Sequence, residues 1–175
     1  MRSVLLVFQW ESARNGGLVF GKCCVGDRLA AFKNVHIDDV PVETTWERLK
    51  ANPKAVLIDV RTRAEWAFVG LPDLSQLGRR AVTVEWQTFP DSRVDAQFVA
   101  RLSESLQASG ASTSDELFFI CRSGGRSQMA AEAMAEAGYE HCHNVAEGFE
   151  GPLDDHRQRG KVAGWKAAGL PWVQG

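Results

Sequence analysis

Residues 116–127 read ELFFICRSGGRS, an apolar run that ends in a cysteine and a glycine-containing turn. A continuous apolar run of this kind is typical of a strand that is buried on both faces of a sheet. The alanine-rich residues 127–137, followed by Gly138, favour a helix. A buried strand, a tight turn and a helix form the repeating unit of parallel sheets. The stretch therefore predicts an α/β fold.

The alternation of strand-like and helix-like segments continues on both sides of this stretch. Strands are predicted at residues 37–40, 55–59, 81–84, 116–120 and 142–145. Helices are predicted after Pro41 through Leu49, over 63–69, from Val94 to Gly110 with a four-residue apolar repeat, and over 127–137. Residues 70–80 are predicted to be loop, and the chain from Gly148 onward to be loop and a short helix. Parallel strands with crossover helices place a central parallel sheet between helices.

The length of 175 residues suits one domain with an extension. Glycines interrupt the early apolar segments, so residues 1–35 are predicted to be an N-terminal extension whose order the sequence does not settle. The domain itself is predicted to cover residues 36–175.

The net charge, the hydropathy and the cysteine content of the chain limit its possible binding partners and its cellular compartment. The formal net charge is -2, which implies no overall attraction to nucleic acid or to anionic lipid. No stretch approaches the roughly 20 apolar residues that span a bilayer. The four cysteines include no CxxC pair, which favours a reducing compartment. We therefore expect a cytoplasmic protein with neither nucleic acid nor membrane as a partner.

The segment after the strand at 116–120 carries the chemistry. Its glycines can turn successive backbone N–H groups toward one point, and the start of the following helix adds unpaired N–H groups. These groups, with Arg122 and Arg126, favour the thiolate form of Cys121 and so a nucleophilic cysteine. The candidate catalytic residue is Cys121, and the candidate substrate-binding residues are Arg122, Ser123, Gly124, Gly125, Arg126 and Ser127.

The loop 121–126 resembles the active-site loop of the rhodanese, or sulfurtransferase, family. Similar support comes from three further segments, namely Asp59-Val60-Arg61 with Glu65-Trp66, the stretch 144–149, and Trp165 with Gly169-Leu170-Pro171. The resemblance covers about residues 36–175 and implies a rhodanese domain with helices on both faces of its sheet. The chain departs from the family at Glu147, where a second glycine is usual.

The resemblance implies a sulfur-transfer cycle on Cys121. The thiolate takes the sulfane sulfur of a donor such as thiosulfate and becomes a persulfide, and an acceptor then removes the sulfur. Cyanide, a small thiol or a protein thiol would serve as the acceptor. Arg122 and Arg126 would hold the sulfonate end of the donor. The cycle implies no metal and no organic cofactor.

Two alternative functions stay open. Cysteine-dependent phosphatases, including relatives of this fold, and arsenate reductases bind a larger anion, and the phosphatases place five residues between the cysteine and the arginine of their loop. Four residues separate Cys121 from Arg126, and the smaller loop is better matched to a single sulfur. The other alternative is a rhodanese-like binding or regulatory module without turnover.

Other residues are secondary candidates. Asp59 and Arg61 follow a predicted strand, so they either line the mouth of the site or form an ion pair that braces the loop. Strand alternation predicts that Cys142 is in the core and that His141 and His143 are on the surface. Cys142 is also a candidate resolving thiol for Cys121. Cys23-Cys24 is a candidate pair for binding a soft metal or relaying sulfur. Trp66 and Phe149 are the aromatic residues expected near the pocket.

Overall fold

The strands of the protein, in chain order, are β1 (Asp38–Val40), β2 (Val56–Asp59), β3 (Leu71–Pro72), β4 (Val82–Thr83), β5 (Glu116–Ile120), β6 (His141–Val145) and β7 (Trp172–Val173). A computed structural model describes residues 36–175. The central sheet has five strands in the order β1-β6-β5-β2-β4, and every neighbouring pair is parallel. The predicted parallel sheet is therefore confirmed. The predictions for residues 1–35, with Cys23 and Cys24, lie outside the described residues.

Within the described residues four helices pack around this sheet, namely α1 (Val42–Ala51), α2 (Arg63–Val69), α3 (Phe98–Ala108) and α4 (Gly125–Glu136). Alternate residues of β5 face opposite cores. Leu117 and Phe119 pack with the buried residues of α3 and α4, whereas Phe118 and Ile120 pack with those of α1. Helices on both faces explain why residues 117–120 of this strand are all apolar. No helix within residues 36–175 is long and apolar enough to cross a membrane.

The two helices that flank the central stretch differ from their predicted starts. Helix α3 begins at Phe98 because Val94 pairs with Gln87 across an isolated antiparallel bridge. Val94 is 44% exposed, so its four-residue spacing from Phe98 is not part of the helix's buried face. Helix α4 begins at Gly125, two residues before the prediction, directly after a residue with positive φ.

The C-terminal part of the chain also differs from the prediction. Residues 148–171 form turns without the predicted short helix, because glycines with positive φ recur at 148, 151, 160, 164 and 169 and interrupt helical geometry. Strand β3, in the predicted loop, pairs antiparallel with β7 through Leu71 opposite Val173. Two-residue strands carry too little pattern to be recognised from sequence.

The fold brings the segments that follow β2, β5 and β6 to one edge of the sheet. In a parallel sheet the carboxyl ends of all strands meet at one edge, and ligands bind in the crevice outside that edge. Residue 121 follows β5, residue 60 follows β2 and residue 146 follows β6 at this edge.

Candidate active site

Cys121 lies at the base of a pocket at the carboxyl edge of the sheet. The pocket has a volume of about 770 Å³ and Cys121 is among its lining residues. The residue is 1% exposed, and its Sγ accepts hydrogen bonds from the Gly124 backbone N–H and the Ser127 hydroxyl, each at 3.2 Å. Both donors stabilise negative charge at Sγ.

The loop between Cys121 and α4 adds further N–H groups beside the sulfur. Gly124 has a φ of +97°, a conformation that favours glycine, and α4 starts at the next residue. Within residues 36–175 no group accepts a hydrogen bond from the N–H of Ser123, Gly125 or Arg126. Successive unpaired N–H groups at a helix start attract anions. The loop residues named from the sequence thus surround one group of unpaired N–H donors.

Arg126 is bound to a carboxylate of α2. Its two terminal nitrogens donate to the two carboxylate oxygens of Glu65 at 2.8 and 2.6 Å, and each side chain is 18% exposed. Glu65 also closes a capping box with Thr62 at the start of α2. Burial acts to raise the pKa of Glu65, but the hydrogen bonds and the positive charge of Arg126, together with bonds from Thr62, outweigh it and lower this pKa to about 2.

The Glu65→Gln variant is expected to be less stable than the wild type at pH 7 by about 2 kcal/mol, because Arg126 loses a partly buried partner. The pKa of Glu65 in the folded protein is about 2, below its ordinary value of 4.5. The contribution of the carboxylate is therefore complete above pH 4.5 and is lost as the pH falls toward 2. Denaturant unfolding of both proteins at pH 7 and pH 3 measures the change.

Glu104→Gln is the matched control, because Glu104 is an exposed glutamate of α3. This variant should differ little from the wild type at either pH. A stability difference for Glu65→Gln that stays constant between pH 7 and pH 3 would contradict the role of the Glu65–Arg126 pair.

Asp59 and Arg61 form a fully buried ion pair. The Arg61 guanidinium donates to Asp59 Oδ2 at 2.6 Å and to the Gly70 carbonyl at 2.7 Å, and both side chains are 0% exposed. The guanidinium also lies over the Phe149 ring, 4.0 Å from its centroid. Neither charged residue lines the pocket of Cys121. The sequence left open whether Asp59 and Arg61 line the mouth of the site or form an ion pair. The structure shows the ion pair.

A segment after β6 forms backbone hydrogen bonds that brace the loop 121–126. The Phe149 N–H donates to the Cys121 carbonyl at 2.8 Å, and the Glu150 N–H donates to the Arg122 carbonyl at 3.0 Å. Gly148 has a φ of +66°, and a Cβ there would lie 2.5 Å from the Cys121 carbonyl oxygen. Glu147 also has a positive φ, 64°, a conformation that glycine adopts more readily than other residues.

Several pocket residues were not identified from the sequence. Phe89 is 73% exposed and Met129 is 43% exposed, and both line the pocket together with Glu150 and Arg159. The expected aromatic residues are not among the lining residues, and Phe149 is wholly buried. Phe89 and Arg159 lie in turns without periodicity, so no sequence signal marked them.

Comparison with known proteins identifies the family. A family model described as the STR4 middle domain matches residues 39–175. A plant protein, the chloroplastic rhodanese-like domain-containing protein 4 of Arabidopsis thaliana, is 26% identical over 132 residues, covering 75% of this chain and 25% of that protein. This chain belongs to the rhodanese-like family.

Other relatives extend the match over most of their own length. A protein of Allochromatium vinosum named sulfurtransferase is 24% identical over 137 residues, covering 78% of this rhodanese-like chain and 95% of that protein. An uncharacterized protein of Rickettsia conorii is 35% identical over 127 residues, covering 73% and 89% of the two chains. The crystal structure of Rv0390 from M. tuberculosis is 46% identical, with a TM-score of 0.71 over 81% of this chain and 100% of that chain. The resemblance stated from the sequence is confirmed.

The second buried thiol of this rhodanese-like protein belongs to the core. Cys142 on β6 is 6% exposed and packs in the same apolar cluster as Cys121. His141 is exposed as expected, but His143 is half-buried and stacks on Phe118, so its predicted surface position is only partly correct. Burial raises the pKa of the Cys142 thiol to about 12.

Iodoacetamide at pH 8 is expected to alkylate Cys121 and to leave Cys142 unmodified in the folded protein. Both thiols are buried, but Cys121 lines the pocket, whereas the raised pKa of Cys142 keeps its thiol protonated at pH 8. Peptide mapping by mass spectrometry measures both sites, and unfolding in guanidinium chloride before labelling is the control that should expose both. Equal labelling of the two cysteines in the folded state would contradict this difference.

Proposed function

We propose that the protein is a sulfurtransferase that carries a sulfane sulfur on Cys121, from a donor such as thiosulfate to cyanide or a thiol. The observation that carries this proposal is the position of Sγ, which lines an open pocket and accepts two hydrogen bonds in a loop of unpaired N–H groups. A persulfide places its negative charge one sulfur farther out, toward those same N–H groups.

The transfer balances without a further reagent. The Cys121 thiolate attacks the outer sulfur of thiosulfate, a new S–S bond forms, and the S–S bond of thiosulfate breaks. Sulfite leaves with the electron pair of the broken bond. The acceptor nucleophile then attacks the terminal sulfur of the persulfide and releases the Cys121 thiolate. Neither step needs a metal or an organic cofactor.

The walls of the pocket suit an acceptor that has a carbon skeleton. Phe89 and Met129 are exposed apolar side chains among the lining residues, and they would contact the carbon atoms that flank an acceptor thiol. A small thiol and a protein thiol are both compatible with this contact. We expect the chain to act in the cytoplasm, where such thiols are reduced.

The Glu65–Arg126 pair weighs against a phosphatase or an arsenate reductase. Both terminal nitrogens of Arg126 are bonded to Glu65, so a phosphate bound in the loop would have to compete with a carboxylate for this guanidinium. The intact loop and open pocket weigh against a binding module without turnover.

Steady-state assays with three substrates separate these functions. Incubation with thiosulfate and cyanide is expected to produce thiocyanate, and incubation with p-nitrophenyl phosphate or arsenate is expected to produce no turnover. Hydrolysis of the aryl phosphate or reduction of arsenate that depends on Cys121, without thiocyanate production, would overturn the proposal. No turnover with any substrate would favour the binding module instead.

A further inference from the structure

Arg159 lies in the turn-rich segment after β6 and lines the same pocket as Cys121. It is far from the catalytic loop in sequence and belongs to none of the segments that carried the family resemblance. Arg122, the exposed residue next to Cys121, lines the pocket as well. Two arginines that are 37 positions apart in the chain thus line the pocket of Cys121.

The backbone that braces the catalytic loop also anchors Arg159. One terminal nitrogen of its guanidinium donates to the Gly151 carbonyl, and the Gly151 N–H donates to the Arg122 carbonyl at 3.2 Å. Gly151 packs closely against the Ala163 backbone, since a Cβ at Gly151 would lie 2.2 Å from the Ala163 carbonyl oxygen. The anchor leaves the other donors of the Arg159 guanidinium available to a ligand.

The charges of the pocket favour an anionic ligand. Arg126 is neutralised by Glu65, and within residues 36–175 neither Arg122 nor Arg159 forms an ion pair. Glu150 is the other carboxylate among the lining residues. A donor with a sulfonate end would bring negative charge to a pocket with an excess of guanidinium groups, and a guanidinium matches a sulfonate through parallel hydrogen bonds.

We infer that Arg159 is a substrate-binding residue that holds the sulfonate end of a thiosulfate-type donor, the role that the sequence assigned to Arg126. This inference rests on the proposed function. As the S–S bond of the donor breaks, the departing sulfite gains the electron pair, and Arg159 stabilises the charge on its oxygens. Arg122, which lines the same pocket, also contacts the donor, and Arg126 positions the loop through Glu65.

The test compares the rate of persulfide formation for two donors. The Arg159→Gln variant is expected to react with thiosulfate about 10- to 100-fold more slowly than the wild type, because it lacks charge-assisted hydrogen bonds to the sulfonate. With hydroxyethyl persulfide, whose tail is uncharged, its rate is expected to stay within about threefold of the wild type, since no sulfonate is bound. Intact mass after a timed acid quench measures the persulfide.

Arg157→Gln is the matched control, because Arg157 is an exposed arginine of the same segment and does not line the pocket. It should react like the wild type with both donors. The inference is overturned if Arg159→Gln reacts with thiosulfate at the wild-type rate, or if it slows equally with both donors, which would indicate a structural role through Gly151. Failure of the wild type to form a persulfide with either donor would instead overturn the proposed function, and this inference with it.

Discussion

The Cys121→Ser variant is expected to lose sulfur transfer from thiosulfate to cyanide by about 10⁴-fold or more. A serine hydroxyl is not ionised at neutral pH and cannot form the S–S bond that holds the transferred sulfur. The side chain keeps nearly the same volume, and the Gly124 N–H and Ser127 hydroxyl that now donate to Sγ can donate to Oγ. The variant should therefore fold, with a stability within about 2 kcal/mol of the wild type.

Thiocyanate production and circular dichroism together measure this outcome. Cys142→Ala is the matched control, because Cys142 is the other buried thiol of the same apolar cluster. It should lose some stability through the small cavity and should retain sulfur transfer. Activity that survives in Cys121→Ser, or that disappears only in Cys142→Ala, would show that Cys121 does not carry the sulfur.

The Gly148→Ala variant is expected to lose about 3 kcal/mol or more of folding stability, and the remaining folded protein should have a damaged site. Its Cβ would collide with backbone atoms of the loop 121–126, at 2.5 Å from the Cys121 carbonyl oxygen and 2.7 Å from the Ser123 nitrogen. Backbone atoms cannot turn aside as a flexible side chain can. The brace between Phe149 and Cys121 would have to open.

Gly78→Ala separates this collision from the cost of positive φ. Gly78 has a φ of +65°, close to the +66° of Gly148, but a Cβ there would meet no atom within 4 Å. The conformational cost alone is about 1 kcal/mol, and sulfur transfer should be unchanged. Denaturant unfolding and the thiocyanate assay should be run on both variants. Equal loss of stability in the two would contradict the brace.

Much of the fold followed from local pattern. The run 117–120 is buried on both faces because α1 covers one side of β5 and α3 with α4 covers the other, and in the sequence this appears as an uninterrupted apolar run. Val94 has the spacing of a helical residue but pairs with Gln87 instead, because a tertiary bridge outweighed the local period. The β3–β7 ribbon joins residues about a hundred positions apart and has no local signal.

The candidate site, like the fold, could be predicted from the sequence only in part. The loop 121–127 could be recognised because its residues are contiguous and each has a chemical reason to be there. Glu65 was visible as part of a signature, but its partner Arg126 is 61 positions away, so the neutralisation of that arginine follows only from the tertiary structure. Arg159 is one arginine among turns, and only the folded chain places it in the pocket with Cys121.

Intact mass spectrometry after incubation with thiosulfate tests the central proposal most directly. The wild type should gain the mass of one sulfur atom, peptide mapping should place that sulfur on Cys121, and cyanide should remove it. Cys121→Ser should gain nothing under the same conditions. If the wild type gains no cyanide-removable sulfur, or if the serine variant gains as much as the wild type, Cys121 does not act through a persulfide.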